Sequence, residues 1–205
     1  TAMASLLVSK EYGVAPDATL LTYTTSQPGD NDVSGRDCTS RNGNGIEDPV
    51  SLINRAISDG AQIISISSSN DESSDTTKWA IARANARGVI VVSPMGNDAK
   101  DETLDTYSKW SGVVGVGAID TTGKVASYSS WGQGTTVAAV GGPVVVHNYE
   151  NGNKGLTDGT SNSVPLVAGF LALAKQKWPN ATSNQLLQLL TKTARTDQSG
   201  WNTYI

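Results

Sequence analysis

The run Val89-Ile90-Val91-Val92-Ser93 limits the fold more than any other stretch. Four β-branched apolar residues in a row leave no polar face for water, so a strand built from them must be covered on both sides. Val113 to Ala118 has the same character, and Ile63 to Ser67 reads as a third buried strand. Helical spacing fills the intervals. Asp48-Pro49 opens a helix running to about Ser58, with Val50, Ile53, Ala56 and Ile57 on one stripe. Asp75 to Ala86 reads as a helix with Trp79, Ile81 and Ala82 inward, stopped by Gly88. Alternation of this kind predicts an α/β domain: three layers, a mostly parallel sheet with helices on both faces.

The flanks are consistent with one domain over 1–205. Thr1 to Glu11 is predicted helical, with Ala2, Leu6 and Leu7 on a stripe and Gly13 just past its end. Ala18 to Tyr23 is predicted as a short strand, Thr24 to Glu47 as a long polar surface loop, and Ser183 to Ala194 as an amphipathic helix through Leu186, Leu187, Leu189 and Leu190. No internal repeat or domain boundary is visible. A net charge of −4, with no basic cluster, argues against nucleic-acid binding. The chain has one cysteine, Cys38, and one histidine, His147, which excludes an intrachain disulfide and a zinc cluster. Every apolar run is too short to cross a membrane. Asn42 to Asp48 superficially resembles a calcium loop but lacks the alternating acidic ligands, so a structural calcium is compatible with the chain but has no motif behind it.

Chemistry is suggested by Gly159-Thr160-Ser161-Asn162-Ser163-Val164-Pro165, followed by Leu166-Val167-Ala168-Gly169-Phe170-Leu171-Ala172-Leu173-Ala174. A Gly-Thr-Ser turn opens a nearly all-apolar helix, with Pro165 expected in its first turn. Such a turn exposes a serine hydroxyl beside unpaired helix N–H groups and positive potential. The same residues also fit an ordinary Thr/Ser cap before a core helix.

The stretch Gly159 to Gly169 resembles the nucleophile motif Gly-Thr-Ser-x-x-x-Pro-x-Val-Ala-Gly of the subtilisin-like serine peptidases, the subtilases. Other segments resemble that family in order. Thr1 to Ser5 with Gly13 to Ala18 is similar to the helix and turn after the family's catalytic histidine. Gly60 to Ser67 is similar to the strand that binds substrate backbone, and Val89 to Asn97 to the strand ending at the oxyanion-hole asparagine. Val113 to Ile119 and Ala126 to Gly132 match further core segments. The family's histidine stands in His-Gly-Thr, and this chain begins at the Thr; its aspartate lies further upstream. The resemblance thus implies a partial catalytic domain, without the Asp and His motifs and the last C-terminal elements.

What it implies for function is a serine endopeptidase working through an acyl-enzyme on Ser161 in the intact parent, with the isolated chain inactive. Asn97 would donate to the oxyanion; the alternative is a turn residue after a strand. Ser67, Ser68 and Ser69, with Asn70, would flank the substrate, where the family usually has Ser-Leu-Gly-Gly; a polar strand exit is the plainer account. Pro94, Met95 and Gly96 would line the pocket for the residue before the scissile bond, with Met95 narrowing it. Asn162 stands where many members carry Met, and its amide escapes the oxidation Met suffers. Leu166 stands where relatives usually have His. His147 has no motif support as a base. Asp71, Glu72, Asp75, Asp98, Asp101 and Glu102 cluster around the expected cleft, as solvated charges or as a preference for basic side chains. The chemistry needs no cofactor. Protein or peptide substrates, a monomer and a secreted or cell-surface location follow from the resemblance alone. The rival is a catalytically dead peptide-binding domain of the same fold, favoured by Ser68, Ser69, Asn70 and Pro94-Met95.

Overall fold

The computed structural model describes residues 2–23, 48–68, 75–101, 106–147 and 153–195, and in it the β-branched runs pair. Strands β1 (Ile63–Ser65), β2 (Ile90–Pro94), β3 (Val113–Asp120) and β4 (Thr135–Gly142) lie side by side in that order, and each neighbouring pair is parallel. All five β2 residues are buried. Alternation along that strand divides the core in two. Ile90 and Val92 pack with Val164, Val167 and Leu171 of helix α4 (Thr160–Lys177) and with Leu186 and Leu190 of helix α5 (Ser183–Thr193). Val89 and Val91 pack on the other face with Ile53 and Ile57 of helix α2 (Pro49–Ser58) and Ala80, Ile81 and Ala84 of helix α3 (Asp75–Ala86). The result is the expected three-layer α/β domain. Helix α1 (Ala2–Val8) packs against α4, and a small antiparallel pair, β5 (Val144–His147) with β6 (Lys154–Thr157), lies outside the main sheet.

Several local expectations are corrected. Trp79 is 70% exposed and Ala82 is exposed. The buried stripe of α3 is Thr77, Ala80, Ile81 and Ala84, at helical spacing three and four apart, which turns Trp79 outward. Helix α1 ends at Val8, and Gly13 is needed for close approach: a Cβ there would lie 2.3 Å from Ser9 N. Residues 18–23 form no strand within the described residues, and Leu20 and Leu21 are 37% and 44% exposed. Strand β4 has no strong sequence signal, because Thr135-Thr136-Val137-Ala138-Ala139-Val140-Gly141-Gly142 is built of small residues. Pro165 lies in the second turn of α4, not the first. Having no N–H, it cannot donate to the Ser161 carbonyl four residues back. The expected loop Thr24–Glu47 falls wholly outside the described residues, as do Cys38 and most of the calcium-like stretch.

The cap of α2 agrees with the sequence. Asp48 Oδ1 accepts from Ser51 N–H at 3.0 Å and Oδ2 accepts from Ser51 Oγ at 2.7 Å. These bonds, the hydroxyl's first, hold the Asp48 carboxyl below its ordinary value of 3.8. A folded-state value below the unfolded one means the cap stabilises above the unfolded pKa and is lost as pH falls through the folded pKa. Asp48→Ala is therefore expected to cost about 1 kcal/mol in urea unfolding at neutral pH. The difference from wild type should shrink on acidification below the ordinary carboxylate value. An equal difference at both ends of that range would remove the cap from the account.

Candidate active site

Parallel strands leave their carboxyl ends at one edge, and the sequence places its polar candidates there. Ser67 and Ser68 follow β1, Gly96 and Asn97 follow β2, and α4 starts beside the end of β4, where Asn162 Nδ2 donates to Gly141 O at 2.8 Å. The helix begins at Gly159, a cap that supplies no side-chain bond and holds φ at 149°. Few residues other than glycine adopt that angle. Ser161 consequently sits inside the first turn rather than at the cap. It is half-buried, and its Oγ and N–H make no hydrogen bond with the described residues. A hydroxyl used as a cap would accept from the backbone; this one does not.

Asn97 is fixed from the helix side. Its Oδ1 accepts from Thr160 N–H at 2.8 Å and from Thr160 Oγ1 at 2.9 Å, so the side-chain amide is oriented and Nδ2 is the end left to donate. A single point locates the pair. The position a Cβ would take on Gly159 is 3.2 Å from Ser161 Oγ and 3.4 Å from Asn97 Nδ2. A nucleophilic oxygen and an N–H donor thus border the same small space, at the positive end of an eighteen-residue helix. An acyl carbonyl there could be attacked at carbon while its oxygen accepted hydrogen bonds.

Other candidates are placed differently. Met95 and Pro94 are buried, Met95 completely, and a Cβ on Gly115 would lie 2.9 Å from Met95 Sδ. The Met95 side chain therefore fills the interior between β2 and β3. Gly96 is buried with φ 101°. Ser67 and Ser68 line a groove of about 1690 Å³ that also takes in Leu7, Leu20, Ile64 and Leu173 but not Ser161 or Asn97. Ser69, Asn70, Asp71, Glu72 and Glu102 lie outside the described residues, while Asp98 pairs with Lys100 at 3.7 Å on the surface. Asn162 is 1% exposed, and its Oδ1 is buried without a hydrogen-bond partner among the described residues. His147 packs its ring against Tyr12, centroids 5.5 Å apart, and its backbone N–H donates to Ser5 Oγ. Among the described residues no cluster of His, Cys, Asp and Glu could hold a metal, and no helix is long and apolar enough to cross a membrane. Thr160, which orients Asn97, received no role from the sequence; its place inside the Gly-Thr-Ser turn was the only signal.

Comparison with known proteins identifies the family. The model described as "Subtilase family" matches residues 1–204. A "Thermostable alkaline protease" of Halalkalibacterium halodurans is 35% identical over 75% of this chain and 42% of its own length. "Subtilisin BL" of Lederbergia lenta is 31% identical over 89% of this chain and 62% of its own. Among solved structures, a "cold adapted subtilisin-like serine proteinase" superposes with TM-score 0.82 at 22% identity, over 99% of this chain and 70% of that one, a likeness of fold. The chain spans less than two thirds of the length of those two sequence relatives.

Proposed function

This chain belongs to the subtilase family, and on that premise we propose that it carries the nucleophile and oxyanion side of a serine endopeptidase. The observation behind the proposal is the convergence of Ser161 Oγ and Asn97 Nδ2 on one point beside Gly159. In the reaction, Ser161 Oγ adds to the peptide carbonyl carbon and loses its proton to a base. The oxyanion accepts from Asn97 Nδ2–H and from Ser161 N–H. The base returns the proton to the leaving amine, and water then hydrolyses the acyl-enzyme by the same route. The base is a histidine upstream of Thr1, oriented by an aspartate, as the family resemblance implies. His147, held against Tyr12, has no part in it.

The groove supports a domain that continues beyond these residues. One edge of β1 has no strand partner within the described residues, and residues 19–23 line the same groove, with Leu7, Leu20, Leu21 and Leu173 facing it. Apolar surface of that extent beside a free strand edge is normally covered by further chain. The isolated residues 1–205 would then bind and polarise a substrate without turning it over. Ser67, Ser68 and Ser69 would border the bound peptide, and secretion follows from the family alone.

Two measurements test this reading. The coding sequence immediately upstream of Thr1 is expected to end in His-Gly, with an aspartate on an earlier apolar strand. The parent protein is expected to hydrolyse a denatured protein substrate and to be labelled by a fluorophosphonate, with mass spectrometry placing the adduct on Ser161. A protein that binds peptides but neither cleaves them nor accepts the label would be the peptide-binding domain instead.

A further inference from the structure

Three consecutive residues outside the reacting groups connect the two halves of the site. Ser130 N–H donates to Gly96 O at 3.0 Å, and Ser130 Oγ accepts from Asp98 N–H at 3.1 Å, so one residue holds the backbone on both sides of Asn97. Tyr128 C=O accepts from Ala99 N–H at 3.0 Å, two residues further on. The other end of Tyr128 reaches the opposite element. Its phenol oxygen accepts at 3.1 Å from Gly159 N–H, which also donates to Gly141 O at 3.0 Å. Ser129 anchors the segment to β3: its Oγ accepts from Ala118 N–H at 2.9 Å and donates to Ser130 O at 3.1 Å. Ser129 and Ser130 are 4% and 2% exposed.

We propose that Tyr128–Ser130 is a positioning brace that sets the Asn97 amide and the Ser161 hydroxyl relative to each other. The proposal rests on the reading of those two residues as oxyanion donor and nucleophile. The physical need is plain. Asn97 lies on a short exposed loop after β2, and Ser161 on a helix packed against the sheet. Among the described residues, only the Thr160 hydrogen bonds tie Asn97 itself to that helix. The brace adds a second, independent tie through backbone on both sides. Buried or half-buried polar bonds of this kind are directional and costly to leave unmade, so they hold a loop that packing alone would not. Burial, then the charges of Asp158 and Asp120, raise the Tyr128 phenol above its ordinary value of 10 against the opposing pull of the Gly159 N–H, so the ring stays neutral through the neutral range. None of the three residues touches the reacting atoms, so they act by placement.

The test uses the parent protein with Tyr128→Phe, which keeps the ring and loses the phenol oxygen, and Ser130→Ala, which strands Asp98 N–H. Misplacement by a fraction of an ångström should lower kcat about tenfold in each, with KM within about twofold. A fall in stability alone would not split the two constants this way. Amide hydrogen exchange provides the arm that does not need activity. Ser130→Ala should speed exchange at Gly159 as well as at Asp98, and Tyr128→Phe should speed it at Asp98 as well as at Gly159. Variants whose kcat stays within twofold of an active wild type overturn the brace. So does exchange that changes only at the residue losing its partner, whatever the activity. If the wild type itself neither cleaves nor labels, the peptidase reading falls, and exchange still decides whether the two halves are joined here.

Discussion

Ser161→Ala in the parent protein is expected to lower kcat for peptide hydrolysis by about 10⁶-fold, a size already measured for nucleophile removal in a subtilisin. Peptide affinity and thermal stability should hardly move. The reason lies in what Ser161 does not do. Its hydroxyl makes no hydrogen bond with the described residues, and the cap position belongs to Gly159. Removing the oxygen therefore breaks no structural bond, and alanine suits the first turn of a helix. A serine kept as a cap would behave in the opposite way, costing about 1 kcal/mol of stability and leaving turnover intact. Measuring kcat, peptide binding and unfolding on the same pair of proteins separates the two. Hydrolysis surviving within tenfold would move the nucleophile elsewhere.

The sheet was legible from sequence because strands covered on both faces have only one composition available. Val89 to Val92 cannot be amphipathic, and the structure divides that run between two cores as alternation requires. Strand β4 was not legible, since Ala138, Ala139, Gly141 and Gly142 are small for reasons of packing that only the neighbours reveal. Gly141 shows why: a Cβ there would lie 2.6 Å from Ala118 Cβ and 2.7 Å from the Tyr128 hydroxyl. On α3 the buried face runs through Thr77, Ala80, Ile81 and Ala84, so small residues rather than Trp79 meet the core. At the candidate site, Ser161 stands out because a Gly-Thr-Ser turn opens an apolar helix, and Asn97 because it follows Gly96 after an apolar strand. What joins them did not stand out. Tyr128 and Gly159 are 31 residues apart, Thr160 and Asn97 are 63 apart, and no local pattern encodes such contacts. Met95, expected to narrow a substrate pocket, is wholly buried just past the end of β2, with its sulfur beside Gly115.

Gly159→Ala should reduce kcat/KM by about 10²–10³-fold while the fold survives. The added methyl would stand 3.2 Å from Ser161 Oγ and 3.4 Å from Asn97 Nδ2, in the space where the proposed carbonyl must sit. Both neighbours are side-chain tips, so they can yield, and yielding is what disables them: the donor and the nucleophile would be pushed from positions set by Thr160 and the helix. The backbone adds a second cost, because alanine at φ 149° is strained by roughly 1–3 kcal/mol. Relief of that strain would rotate the turn and carry Ser161 with it. Misplacement by about 1 Å is enough for a hundredfold loss. Because the damage falls on the reacting geometry, a boronate that forms a tetrahedral adduct with the serine should lose affinity in parallel with kcat/KM. A ground-state peptide bound to the Ser161→Ala background should not. Parallel loss of both affinities would mean that the methyl closes the cleft as a whole. Unchanged kcat/KM would show that the point beside Gly159 is not where the carbonyl binds.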